Sequence, residues 1–155
     1  MATTIVPSNL VVTITESYSL NGVDYGNTMN KTYTDNGQVS QRVMSIAGKG
    51  AEATVWTDIL ALSTVDGQGQ VVKADYKYFR ITNLDTVNTL HLRTYNGVDY
   101  VAFEVAPASS LLLMDAGYDG TLTSTIVTLI DIEGISGQSS SATEAIDVEF
   151  VMVTA

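Results

Sequence analysis

Tyr-Lys-Tyr-Phe-Arg-Ile-Thr-Asn-Leu at 76–84, Leu-His-Leu-Arg-Thr-Tyr at 90–95, Tyr-Val-Ala-Phe-Glu-Val at 100–105 and Leu-Leu-Leu-Met at 111–114 are four short runs rich in aromatic, β-branched and aliphatic residues. Turn-forming residues separate them. Asn96-Gly97 tolerates the positive φ angles of a tight hairpin, and Pro107 cannot donate to a ladder and so ends a strand. The stretch predicts four antiparallel strands, and the rest of the chain is arranged around it.

Toward the N-terminus, Val71-Val72 leads into this stretch from a loop at Gly67-Gln68-Gly69-Gln70. Residues 51–63 carry two signals. Val55, Ile59 and Leu62 fit helical spacing, whereas Thr54, Val55, Trp56 and Thr57 are strand formers; the segment is read as strand. Gly48-Lys49-Gly50 ends a predicted strand over 39–47, which follows a turn at Asp35-Asn36-Gly37 and a strand at 31–33. Earlier, Leu10, Val12 and Ile14 alternate with Val11, Thr13 and Thr15, the pattern of a strand with one drier face, and Asn21-Gly22 supplies its turn. Residues 1–9 read as an extended arm able to lie across a neighbour in an assembly.

Toward the C-terminus, 115–120 is a polar loop and 125–132 a strand. Residues 134–143, with Ser139-Ser140-Ser141, read as a flexible loop. A closing strand over 145–154 places Ile146, Val148, Phe150 and Met152 on one side and begins the other with Asp147 and Glu149; so apolar a strand should pair inside a sheet. Asn-Gly-Val-Asp-Tyr occurs at 21–25 and again at 96–100 and is read as one turn solution used twice. The expectation is an all-β protein: a single antiparallel β-sandwich over 10–155, jelly-roll-like, with eight to ten strands and little helix.

A chain of 155 residues buries roughly 70% of its unfolded surface without staples. With no cysteine there are no disulfides, thiolate metal sites or cysteine nucleophiles. The first residues do not resemble a signal peptide and no apolar run approaches the about 20 residues of a membrane span, so a soluble protein with no membrane partner is expected. Only 15% of residues are charged, below the usual ~25%, which suits either a neutral, Thr-rich β-protein or surfaces that bury against other protein. The net charge is -10 and the last basic residue is Arg93, which speaks against nucleic acid as a partner.

The chemistries weigh as follows. His91 is the sole histidine, and no Gly-x-Ser-x-Gly elbow accompanies it, so a surface or interface histidine is preferred to a catalytic base. Asp131 with Glu133, and Asp147 with Glu149, share strand faces as glycosidase carboxyls would, but a solvated face explains both. Asp115, Asp119 and Gly120 offer oxygen ligands for calcium without the full EF-hand pattern, and the glycines at 48, 50, 67 and 69 precede no phosphate-binding helix. Tyr95, Tyr100 and Tyr118, with Trp56, are candidates for stacking on sugars. No catalytic, cofactor-binding or metal-ligating residue is assigned, and the protein is expected not to be an enzyme and to carry no cofactor.

Tyr-Phe-Arg-Ile-Thr-Asn-Leu-Asp at 78–85, Leu-His-Leu-Arg at 90–93 and Phe-Glu-Val-Ala-Pro-Ala-Ser-Ser-Leu-Leu-Leu at 103–113 resemble small β-sandwich virion proteins of tailed bacteriophages. Ile-Glu-Gly-Ile-Ser-Gly at 132–137 and Asp-Val-Glu-Phe-Val-Met-Val at 147–153 are similar to their closing segments, while residues 1–70 add no motif. The resemblance implies a virion protein, most simply a homo-oligomeric, trimeric capsid decoration (cement) protein whose partner is the major capsid protein or another virion protein. The alternative is a carbohydrate- or receptor-binding sandwich of a tail or neck fibre.

Overall fold

The structure is a computed structural model and describes residues 8–63, 71–72, 76–95, 100–114 and 133–154. Among the described residues there are thirteen strands and no helix: β1 (Ser8–Glu16), β2 (Ser19–Leu20), β3 (Val23–Asp24), β4 (Asn27–Asn36), β5 (Gln38–Ile46), β6 (Thr57–Ser63), β7 (Val71–Val72), β8 (Tyr76–Asn83), β9 (Leu90–Tyr95), β10 (Tyr100–Val105), β11 (Ser110–Met114), β12 (Gly134–Ser139) and β13 (Ile146–Thr154). They form a five-stranded sheet, β10-β9-β12-β6-β7, and a four-stranded sheet, β11-β8-β13-β5, together with two two-stranded ladders, β1-β4 and β2-β3. Pairing is antiparallel except between β6 and β7. The two larger sheets pack as a sandwich.

The four runs at 76–114 fold as read, with β8 and β11 in one sheet and β9 and β10 in the other. The link from β8 to β9 therefore crosses between layers, as does the link from β10 to β11. Asn83 pins both crossings together. It is fully buried, and its Nδ2 donates to the carbonyls of Asn88 (2.9 Å) and Val105 (3.1 Å) while its Oδ1 accepts from the Asp85 N–H (3.1 Å). Asp85 then accepts from the backbone N–H groups of Asn88 (2.6 Å) and Val87 (2.7 Å), which close the 84–89 turn.

Strand alternation fills the space between the sheets. Phe79 and Ile81 of β8, Ile146, Val148, Phe150 and Met152 of β13 and Ile46 of β5 meet Leu90, Leu92 and Ile135 from the facing sheet in one cluster. The Phe79 and Phe150 rings lie 6.2 Å apart. β13 pairs with β8 on one side and β5 on the other, so this apolar closing strand is interior to its sheet.

One segment departs from expectation. Residues 134–143 are not a loop throughout: Gly134–Ser139 is β12, paired with both β9 and β6, and all six of its residues are buried. Apart from Ile135 and Gln138, Gly-Ile-Ser-Gly-Gln-Ser has only small residues, and at both glycines neighbouring side chains fill the space. A Cβ at Gly137 would lie 3.0 Å from Leu90 Cδ1 and 3.1 Å from Ile59 Cδ1; one at Gly134 would lie 2.5 Å from the Tyr95 hydroxyl and 2.9 Å from the Leu60 carbonyl oxygen. The Ser-rich turn begins only at Ser140. Within 51–63, the strand starts at Thr57, with a turn over 51–53. Of the expected arm over 1–9, Ser8 and Asn9 open β1 and the remainder lies outside the described residues, as do the 115–120 loop, the 125–132 strand and the Asn96-Gly97 turn.

Two measurements check this account. Gly134→Ala meets a backbone oxygen and a held ring and should lower unfolding free energy in urea by about 1–3 kcal/mol. Gly137→Ala crowds the methyl ends of Leu90 and Ile59 and leaves the nearest backbone atom, the His91 carbonyl oxygen, at 3.6 Å, and should cost clearly less. The hydrogen bonds from Asn88 and then Val87 hold the Asp85 carboxyl below the usual carboxylate range. Its ionised form is favoured in the folded state, so this contribution is full above the unfolded value of about 4 and is lost as pH falls through the lowered folded value. Asp85→Asn should therefore lower the melting temperature at pH 7, with the difference from wild type closing in acid.

Candidate functional site

Two surfaces of the sandwich carry side chains that the core does not use. The first is the outer face of the five-stranded sheet. Along β9, alternation buries Leu90, Leu92 and Thr94 and turns His91, Arg93 and Tyr95 outward. In register beside them on β12 stand Gln138 against His91, Ser136 against Arg93 and Gly134 against Tyr95. Asp58 of β6 flanks Ser136 from the other side.

These small residues let the long side chains of β9 lie down across β12. Arg93 Nε donates to Ser136 Oγ at 2.8 Å. The Arg93 guanidinium carbon lies 4.2 Å from the ring centre of Trp56, just ahead of β6, and 5.5 Å from that of Tyr95. A cation close to two aromatic rings is stabilised by their quadrupoles, and the planar guanidinium suits this better than an ammonium. Tyr95 rests over Gly134. Burial, and then the negative charge of Asp58, push its phenol above the ordinary value, while Arg93 opposes them. On the edge strand, Tyr100 stands opposite Tyr95 and is 62% exposed.

The candidates weighed from sequence are distributed as follows. His91 Nε2 lies 3.9 Å from Glu104 Oε1, and no hydrogen bond joins it to a hydroxyl among the described residues. Glu149 is tied into the outer face of the other sheet, accepting from Arg80 Nη2 at 2.7 Å and Gln41 Nε2 at 2.6 Å, while its partner in sequence, Asp147, is exposed. Glu133 is exposed beside the five-stranded sheet. Asp115, Tyr118, Asp119 and Asp131 lie outside the described residues. Among the described residues no group of three His, Asp or Glu side chains is placed to hold a metal ion. Tyr95 and Trp56 are brought together; Arg93, which joins them, was not singled out from sequence, though its position two residues from His91 on one strand face was visible there.

The second surface is the β1-β4 hairpin. Its base packs on the four-stranded sheet, where Tyr33, Leu10 and Val12 cover Tyr78, Val153, Val151 and Leu112, and Lys77 Nζ donates to the carbonyl of Thr34 at 2.7 Å. Beyond that base it projects, and every residue over 15–30 is exposed. Asn21 (φ 53°) and Gly22 (φ 79°) form the turn at the tip. Register places Leu20 beside Val23, and the Tyr18 and Tyr25 rings stack 5.5 Å apart at 14° on the same side. These four side chains are each at least half exposed.

No protein family, characterised protein or solved structure matches this chain. Arg93→Lys keeps the charge but removes the planar stack. It should shift the emission of Trp56, the sole tryptophan, to longer wavelength and lower stability by about 1 kcal/mol.

Proposed function

We propose that this protein acts by adhesion to other protein surfaces, and that the projecting β1-β4 hairpin is the adhesive element. The observation that carries this reading is the tip itself, where Tyr18, Leu20, Val23 and Tyr25 place a contiguous apolar patch at the end of an exposed ribbon. A soluble monomer gains nothing from apolar residues held away from its core, whereas aromatic and aliphatic anchors form the centres of protein interfaces. The low content of charged residues supports the same reading, since charge is depleted where interfaces close.

In its specific form the reading is a virion structural protein: a homo-oligomeric, trimeric capsid decoration protein that stabilises a shell by bridging neighbouring capsomers. Its sequence resemblance to phage β-sandwich proteins supports this, and many modest contacts multiplied by avidity would supply the free energy. In this reading the major capsid protein or another virion protein is its partner and the virion its location. No step in this function needs catalysis.

Native mass spectrometry and co-sedimentation with capsid shells test the proposal. The wild-type protein should be an oligomer and bind shells. A variant with Tyr18, Leu20, Val23 and Tyr25 replaced by Ser should keep its melting temperature, because these residues lie outside the core, and lose shell binding. A monomeric wild type without shell affinity would end the proposal.

A further inference from the structure

We propose that the Trp56, Arg93 and Tyr95 layer, with Tyr100 beside it, is a binding platform for a neutral sugar ring. This goes beyond the adhesive reading and shares no residue with the hairpin.

The guanidinium of Arg93 is held by Trp56 and Tyr95 and anchored through Nε to Ser136. Its terminal amino groups have no hydrogen-bond partner among the described residues. A half-buried fork of donors, held in place through Nε and two rings and with no acceptor among the described residues, is prepared for a ligand that accepts, because part of the entropy of ordering it is already spent. Asp58 and Glu133 stand beside the same layer and are exposed, so acceptors accompany the donors. Tyr100 adds an exposed ring on the edge strand directly opposite Tyr95.

A sugar ring matches each part of this arrangement. Neighbouring hydroxyls accept from the guanidinium and donate to a carboxylate, and the apolar C–H face of the ring packs on an aromatic side chain. The carboxylates also set the sign of the preference. A sialic or uronic acid, or a phosphate, would meet Asp58 and Glu133 at short range and a chain of net charge -10 at long range, so uncharged sugars are selected.

Trp56 makes the test direct, since it is the sole tryptophan and forms part of the platform. Intrinsic fluorescence is titrated with the methyl glycosides of glucose, galactose and mannose, and in parallel with glucuronate and sialyllactose. At least one neutral glycoside should give a saturable change, weakened about tenfold or more in Arg93→Lys and Tyr100→Ala, equivalent to roughly 1.4 kcal/mol. Tyr100→Ala removes an exposed side chain and keeps the fold, which circular dichroism verifies. The hairpin-tip variant should bind sugar as the wild type does, so failure of one proposal is distinguishable from failure of the other. Three results overturn this one: no saturable change with any neutral glycoside up to about 0.1 M, tighter binding of the acidic sugars, or neutral binding that both substitutions leave unaltered.

Discussion

The middle strand of the five-stranded sheet is closed in on both faces, and much of the fold answers to that constraint. Apart from Ile135 and Gln138, β12 carries only glycine and serine, and β9 fills the space beside them: Leu90 packs against Gly137 from within, and Tyr95 and Arg93 lie across Gly134 and Ser136 from outside. A larger residue at Gly134 would lift Tyr95, and with it the stack that holds Arg93 against Trp56. Core packing and surface chemistry are thus coupled through a strand whose own contribution is mainly its backbone.

The two sheets use their outer faces differently. The four-stranded sheet hides one end of its outer face under the base of the β1-β4 hairpin and crosses the rest with the Arg80, Glu149 and Gln41 bridge. The five-stranded sheet presents a layer of aromatic and charged groups. Among the described residues no third strand lies beside the hairpin's ladder, and Leu10, Val12 and Tyr33 bury at its base. Further out, Tyr18 and Tyr25 stack against each other, and Gly26 donates to the Asp24 carboxylate at 2.8 Å to hold the bend.

The strands of 76–114 were legible to within a residue or two because each combines β-forming or apolar composition with an unambiguous break, Pro107 being one. The closing strand was legible for the same reason, down to the face on which Ile146, Val148, Phe150 and Met152 lie. The segment 134–139 was not legible. Gly and Ser are turn formers by local preference, and nothing local reports that Leu90, Ile59 and Tyr95 occupy the space where side chains would stand. The platform was half visible: Trp56 and Tyr95 were separate candidates 39 positions apart, and only strand order brings them to one guanidinium.

By itself, then, the sequence determined an all-β chain with its strand periodicity, its apolar inner faces, its lack of thiol chemistry and its acidic balance, all of which are local or compositional properties. The tertiary structure alone decided that a Gly- and Ser-rich segment is the centre of a sheet, that residues 15–30 project into solvent, and that Trp56, Arg93 and Tyr95 meet. The physical reason is that a strand's alternation specifies which side chains share a face but not which strand lies beside it. Neighbours are chosen by volume complementarity between segments far apart in the chain.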